Sequence, residues 1–189
     1  MRRLLKHLIV GAMVPALAAC SGASIGNSDL TPEPSVATST TSSIARIDRT
    51  VRDLCKPLLE FFENELRLVN VKFGPEDNLN APYGTFGSCS IVGRESQNGF
   101  AQVYEGGGQE ASFLESVGFK RMGGYSADVW LLDKRPRRIE VSVRVGDWIG
   151  SLRIHAELAY TATGKLDITD KIVDDSVEFM IRITREIQQ

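Results

Sequence analysis

Arg138-Ile139-Glu140-Val141-Ser142-Val143-Arg144-Val145-Gly146-Asp147-Trp148-Ile149-Gly150-Ser151-Leu152-Arg153-Ile154-His155-Ala156-Glu157-Leu158 holds two runs of period two around a glycine turn. In the first run Ile139, Val141, Val143 and Val145 alternate with Arg138, Glu140, Ser142 and Arg144. In the second, Leu152, Ile154, Ala156 and Leu158 alternate with Arg153, His155 and Glu157. Successive side chains of a strand point to opposite faces. The pattern therefore predicts an antiparallel hairpin over 138–158, turned at Gly146-Asp147, with one apolar face and one wet face.

C-terminal to the hairpin the period changes from two to 3.6. Ile172, Val173, Val177, Met180, Ile181, Thr184 and Ile187 form one stripe, so a helix runs to the end of the chain. Asp167 or Thr169 serves as its cap, and Asp170, Asp174 and Asp175 sit near its positive end. A second helical stripe begins near residue 44 with Ile47, Val51, Leu54, Cys55, Leu58, Phe62 and Leu66, capped by Ser42 or Ser43, with Pro57 kinking or dividing it. Between the two helices the sequence reads as strands over 68–73, 88–93, 100–104 and 125–132, with a long Gly/Pro loop over 74–87. Asn98-Gly99 is the expected hairpin turn. Residues 109–117 are expected to form a short helix with Phe113, Leu114 and Val117 inward. The fold class is α+β: a single antiparallel sheet packed with two main amphipathic helices.

The N-terminus is of a different kind. Arg2, Arg3 and Lys6 precede an apolar run from Leu8 to Leu17, then Ala18, Ala19 and Cys20. A basic start, a short apolar core and small residues at the cut site predict a secretory signal. The run is about ten residues long, half of the roughly 20 that a membrane-spanning helix needs. Leu17-Ala18-Ala19-Cys20 resembles the lipobox of bacterial lipoproteins at all four positions. In such proteins the cysteine thiol receives a diacylglyceryl group, and cleavage before it leaves the lipidated residue as the new N-terminus. The resemblance implies a signal peptide over 1–19, lipidation at Cys20, and a membrane anchor on the extracytoplasmic face. Seven Ser, four Thr, two Pro and two Gly fill positions 21–43, so 20–43 is read as a lipidated N-terminus and flexible tether, and 44–189 as the α+β domain. Loss of residues 1–19 would leave 19 basic and 24 acidic side chains, a balance of −5. That balance excludes the basic excess of a nucleic-acid binder, and leaves the lipid rather than surface charge to hold the domain at an anionic membrane.

Beyond Cys20, two cysteines remain, Cys55 and Cys89. Outside the reducing cytoplasm an even pair is read as a disulfide. The alternatives are two buried free thiols, or a reactive thiol beside His155. With the lipobox and the Ser/Thr tether, Leu54-Cys55-Lys56-Pro57-Leu58 and Gly87-Ser88-Cys89-Ser90-Ile91 are similar to small actinobacterial cell-envelope lipoproteins of a domain family without assigned function. The resemblance implies a PsbP-like α+β sandwich and an envelope accessory or binding role. It supplies no catalytic residues.

Gly106-Gly107-Gly108-Gln109-Glu110-Ala111, with Asp128 downstream, fits a relaxed dinucleotide fingerprint, but the helix after it is too short for one, and a flexible turn is the better reading. His155 is the one histidine after Cys20, and its alternation places it on the wet face beside Arg153 and Glu157, as a surface residue rather than a catalyst. Asp77-Asn78-Leu79-Asn80 lacks the glycine and distal glutamate of a calcium loop. Lys134-Arg135-Pro136-Arg137-Arg138 is the densest basic run and reads as a solvated turn, with contact to lipid headgroups or an anionic wall polymer as the other reading. No catalytic, cofactor-binding or metal-ligating residue is assigned. The expectation is a non-catalytic envelope binding or accessory module for a lipid, glycan or protein partner. The alternatives are a small extracytoplasmic hydrolase or transferase, and an inhibitor or immunity-type protein acting on another envelope factor.

Overall fold

Thr50 and Asp53 open the folded chain by bonding to each other: the Thr50 amide donates to Asp53 Oδ2 at 2.7 Å, which closes the first turn of a helix. A computed structural model describes residues 49–94, 96–106 and 111–189. The signal, Cys20, the tether and the expected Ser42/Ser43 cap lie outside the described residues. Helix α1 is Arg52–Glu60, and it passes through Pro57 without division. The chain continues as one wide turn of π-helix over Phe61–Glu65, in which the Leu66 amide reaches back to the Phe61 carbonyl at 3.2 Å. Leu54, Cys55, Leu58, Phe62 and Leu66 of the expected stripe are all buried.

The main sheet has seven antiparallel strands: β1 (Lys72–Phe73), β2 (Phe86–Val92), β3 (Gln97–Glu105), β4 (Lys120–Met122), β5 (Asp128–Lys134), β6 (Arg138–Val145) and β7 (Trp148–His155). Their order across the sheet is β1-β2-β3-β7-β6-β5-β4. A short helix α2 (Ala111–Ser116) lies between β3 and β4, a two-stranded ribbon β8 (Tyr160–Thr161) and β9 (Gly164–Lys165) follows β7, and helix α3 (Asp170–Gln188) ends the chain. The class is α+β, as the periodicity predicts. Thr169 caps α3, its side-chain oxygen accepting from the Ile172 amide at 3.3 Å. Among the described residues no helix is long and apolar enough to cross a membrane.

Both main helices pack on one face of the sheet, here called inner. Phe61 stacks on Phe179 of α3 with centroids 4.5 Å apart. Two glycines let the helices approach. A Cβ at Gly99 would stand 2.0 Å from the Phe62 ring, and one at Gly150 would stand 2.1 Å from Thr184 Oγ1. Glycine at both sites follows from packing distance rather than from backbone conformation.

Several boundaries differ from the sequence reading, each for a physical reason. Asn98-Gly99 is not the hairpin turn. It lies inside β3, where Asn98 is buried and donates to the Leu158 carbonyl, while the Gly93 amide bonds to the Ser96 carbonyl between β2 and β3. The expected strand over 68–73 shrinks to Lys72–Phe73, because Arg67 and Asn70 adopt positive φ of 55° and 58° and break the extended run. The second run of the hairpin stops at His155; Ala156–Leu158 is a 3₁₀ turn and Leu158 is exposed. The strand expected over 125–132 runs from Asp128 to Lys134, and β4 was not anticipated. In α2 only Leu114 turns inward, while Phe113 and Val117 are exposed. Phe179 and Ile183 join the buried stripe of α3 because the helix touches α1 and the π turn as well as the sheet.

Candidate functional site

The outer face of the sheet is only partly covered. Register sets its side chains in rungs that cross the strands. The first rung is Asp128, Arg144, Ile149, Tyr104 and Phe86; the second is Trp130, Ser142, Ser151, Gln102 and Ser88. The third is Leu132, Glu140, Arg153, Phe100 and Ser90, and the last is Lys134, Arg138 and His155. Leu114 of α2 packs over the β5 side of the first two rungs, so Trp130, Ser142 and Ile149 are buried there. Toward β3 and the last rung the face stays open.

On the open side, Phe100, Gln102, Phe119, Glu140, Ser151 and Arg153 line a hollow of about 190 Å³. Glu140 is its charged centre. Its carboxylate accepts from Arg153 Nη2 at 2.8 Å and lies 3.4 Å from Arg138 Nε, with its side chain only 13% exposed. A largely buried carboxylate held by two guanidiniums is fixed in position.

A second hollow, about 380 Å³, lies beyond the last rung and is lined by Lys134, Arg137, Arg138 and Glu157. Arg135 of the same basic run faces elsewhere. Its guanidinium donates to both oxygens of Asp133 at 2.7–3.1 Å and to Asp170 at 2.6 Å, which ties the β5–β6 turn to the start of α3. That bond holds the Asp133 carboxyl below the usual carboxylate range. His155, paired with Arg138 across β6 and β7, is half-buried rather than freely exposed as the alternation implied. Burial holds its imidazole below the usual histidine value, and Arg153 and Arg138 push the same way against Glu157 and Glu140. It makes no side-chain hydrogen bond among the described residues, and its neighbours in the adjoining rung are Glu140 and Arg153, with the Ser90 hydroxyl two strands away on β2.

Cys55 and Cys89 form a disulfide, with Cα atoms 5.3 Å apart and both side chains fully buried. It fastens α1 to β2. The bond excludes a free thiol at either position, so a Cys-His pair with His155 does not arise. Asp77, part of the sequence that faintly resembled a calcium loop, has another role. Its Oδ2 accepts from the Gly74 amide at 3.1 Å and the Ser90 amide at 3.0 Å, and lies 3.8 Å from Cys89 Sγ. Cys55, Asp77 and Cys89 come together closely enough to suggest a metal site, but sulfurs bonded to each other offer no thiolate ligands. Asp77 instead pins the Gly/Pro loop to the sheet edge. Most of the glycine stretch after Gly106 falls outside the described residues.

Comparison with known proteins finds no matching family model, no matching curated protein and no matching solved structure.

Proposed function

We propose that the protein is a lipid-anchored bacterial envelope lipoprotein whose folded domain is a non-catalytic binding or accessory module. Leu17-Ala18-Ala19-Cys20, placed after a basic and then apolar start, is the observation that carries the anchor. A buried Cys55–Cys89 disulfide supports an extracytoplasmic setting, since such bonds persist outside the reducing cytoplasm. The open half of the outer sheet face supports a binding role: it offers the bracketed Glu140, an aromatic wall at Phe100 and Phe119, and a cationic end. The PsbP-like comparison belongs to the same proposal. In a bacterial host fed a clickable fatty acid, the full chain is expected to take up label and to partition with membranes. Cys20→Ala is expected to lose the label and its salt-resistant membrane partition while keeping the Cys55–Cys89 bond. Salt-resistant membrane retention of the Cys20→Ala protein would overturn the anchor. A turnover activity that disappears in a folded His155→Ala protein would replace the binding module with an enzyme.

A further inference from the structure

The last outer-face rung sets like charges against one another. Lys134 and Arg138 are directly opposed across β5 and β6, and His155 is the next neighbour of Arg138 on β7. Opposed like charges weaken a strand pair, and the run offers a third cation, Arg137, to the hollow that Lys134 and Arg138 line. Arg135 shows what a satisfied cation in this turn looks like, with a two-pronged bond to Asp133 and a contact to Asp170. By contrast, Lys134 and Arg137 make no side-chain hydrogen bond or ion pair among the described residues. Arg138 shares Glu140 with Arg153, which holds the shorter contact. The hollow is also firmly walled. The Arg137 amide donates to the Lys134 carbonyl at 3.0 Å, and the Glu157 amide donates to the Arg137 carbonyl at 3.3 Å, tying the β5–β6 turn to the 3₁₀ turn after β7.

We propose that this corner is an oxyanion site that takes a phosphate ester, held by Lys134, Arg137 and Arg138. A carboxylate carries one charge and two oxygens and would be satisfied by a single guanidinium fork. Glu157 is the one acid lining the hollow among the described residues, and Arg138 gives part of its charge to Glu140; Lys134 and Arg137, with what Arg138 retains, match the greater charge and extra oxygens of a phosphoryl group. A volume near 380 Å³, open to solvent, leaves room for the esterified group as well as the phosphate. The shared chemistry has two sources: the headgroup of an anionic phospholipid, within reach of a domain tethered through Cys20, or a small soluble phosphate ester. His155 is a built-in reporter. The groups facing it are Lys134, Arg138 and Glu140 across the strands, Arg153 on its own strand and Glu157 on the following turn. Burial and then the neighbouring cations disfavour its protonated form, so an anion seated among those cations raises its proton affinity.

This inference deepens the binding-module reading and rests on it, but not on the lipid anchor, so the test uses the oxidised full chain carrying Cys20→Ala. The His155 imidazole is titrated by NMR with and without glycerol 1-phosphate, at matched ionic strength. The expected result is an upward move of its midpoint at millimolar ester. In Lys134→Gln/Arg137→Gln, whose altered side chains are exposed, the apparent affinity is expected to fall about tenfold or more with the thermal midpoint unchanged. Equal shifts with sodium chloride, or equal affinity in the variant, would overturn the proposal. Flotation with vesicles separates the sources. Binding to phosphatidylglycerol vesicles but not phosphatidylcholine vesicles, lost in the variant, supports the headgroup, whereas ester binding without flotation supports the soluble ester. A ligand retained in native mass spectrometry whose binding ignores both substitutions would sink the phosphate site and leave the binding module standing.

Discussion

Removing the Cys55–Cys89 link by the double substitution Cys55→Ala/Cys89→Ala is expected to destabilise the domain severely. The two residues are 34 positions apart, and the closed loop contains the Gly/Pro-rich segment whose order depends on Asp77. Loop-closure entropy for a ring of that size corresponds to about 4 kcal/mol at 25 °C. The side chains are fully buried, so truncating both sulfurs leaves small voids that add about 1 kcal/mol. Against a typical total of about 5–15 kcal/mol this is a large share. Urea titration followed by far-UV circular dichroism measures it. With a slope of about 2 kcal/mol/M, the midpoint should fall by about 2.5 M relative to the oxidised parent. The slope itself should be higher in the variant, since a cross-linked unfolded chain exposes less surface than an open one. A loss below about 1 kcal/mol would refute the reasoning, because the link would then constrain neither the unfolded chain nor the junction of α1 with β2.

Gly99→Ala is expected to cost about 1–3 kcal/mol, as overpacking does, since the added methyl meets the Phe62 ring; thermal melts check it, and partial recovery by a second change, Phe62→Leu, would locate the clash. His155 binds protons less readily folded than unfolded, so the unfolded chain takes up the extra proton as pH falls below about 6.5. Stability should be fully present above that value and decline as pH falls toward the lower folded midpoint. In His155→Gln, melts between about pH 7.5 and pH 5.5 should show a flatter dependence; an unchanged slope would remove His155 as the source.

The hairpin was legible because two independent signals agreed. The period-two alternation named the buried face, and Gly146, which adopts a positive φ of 58°, turned the chain where the sequence said it would. A two-residue turn also fixes register, so the pairs Glu140 with Arg153 and Arg138 with His155 were implicit once Val145 was set opposite Trp148. Asn98-Gly99 failed for the opposite reason. The dipeptide has strong local turn chemistry, but Phe62 of a distant π turn occupies the space a side chain at 99 would need, and Asn98 is buried against the Leu158 carbonyl. Tertiary packing, not turn propensity, selected those two residues.

The same distinction separates the visible from the hidden parts of the candidate site. Lys134, Arg137 and Arg138 are adjacent in sequence, so their cluster was visible as a charge run, whereas the division of labour within it was not. Only the docking of the turn against the start of α3 takes Arg135 away to Asp170 and leaves the other cations facing Glu157. His155 was placed on the correct face, but alternation carries no measure of depth. Its partial burial depends on what surrounds it, including Glu157 on a 3₁₀ turn that the sequence continued as strand. Likewise, the inward position of Leu114 alone, rather than with Phe113 and Val117, follows from a helix too short to present a stripe, whose one buried side chain meets Trp130. Local pattern thus specifies which groups share a face. Which of them lose their partners, and so become available to a ligand, is set by the long-range contacts that claim the rest.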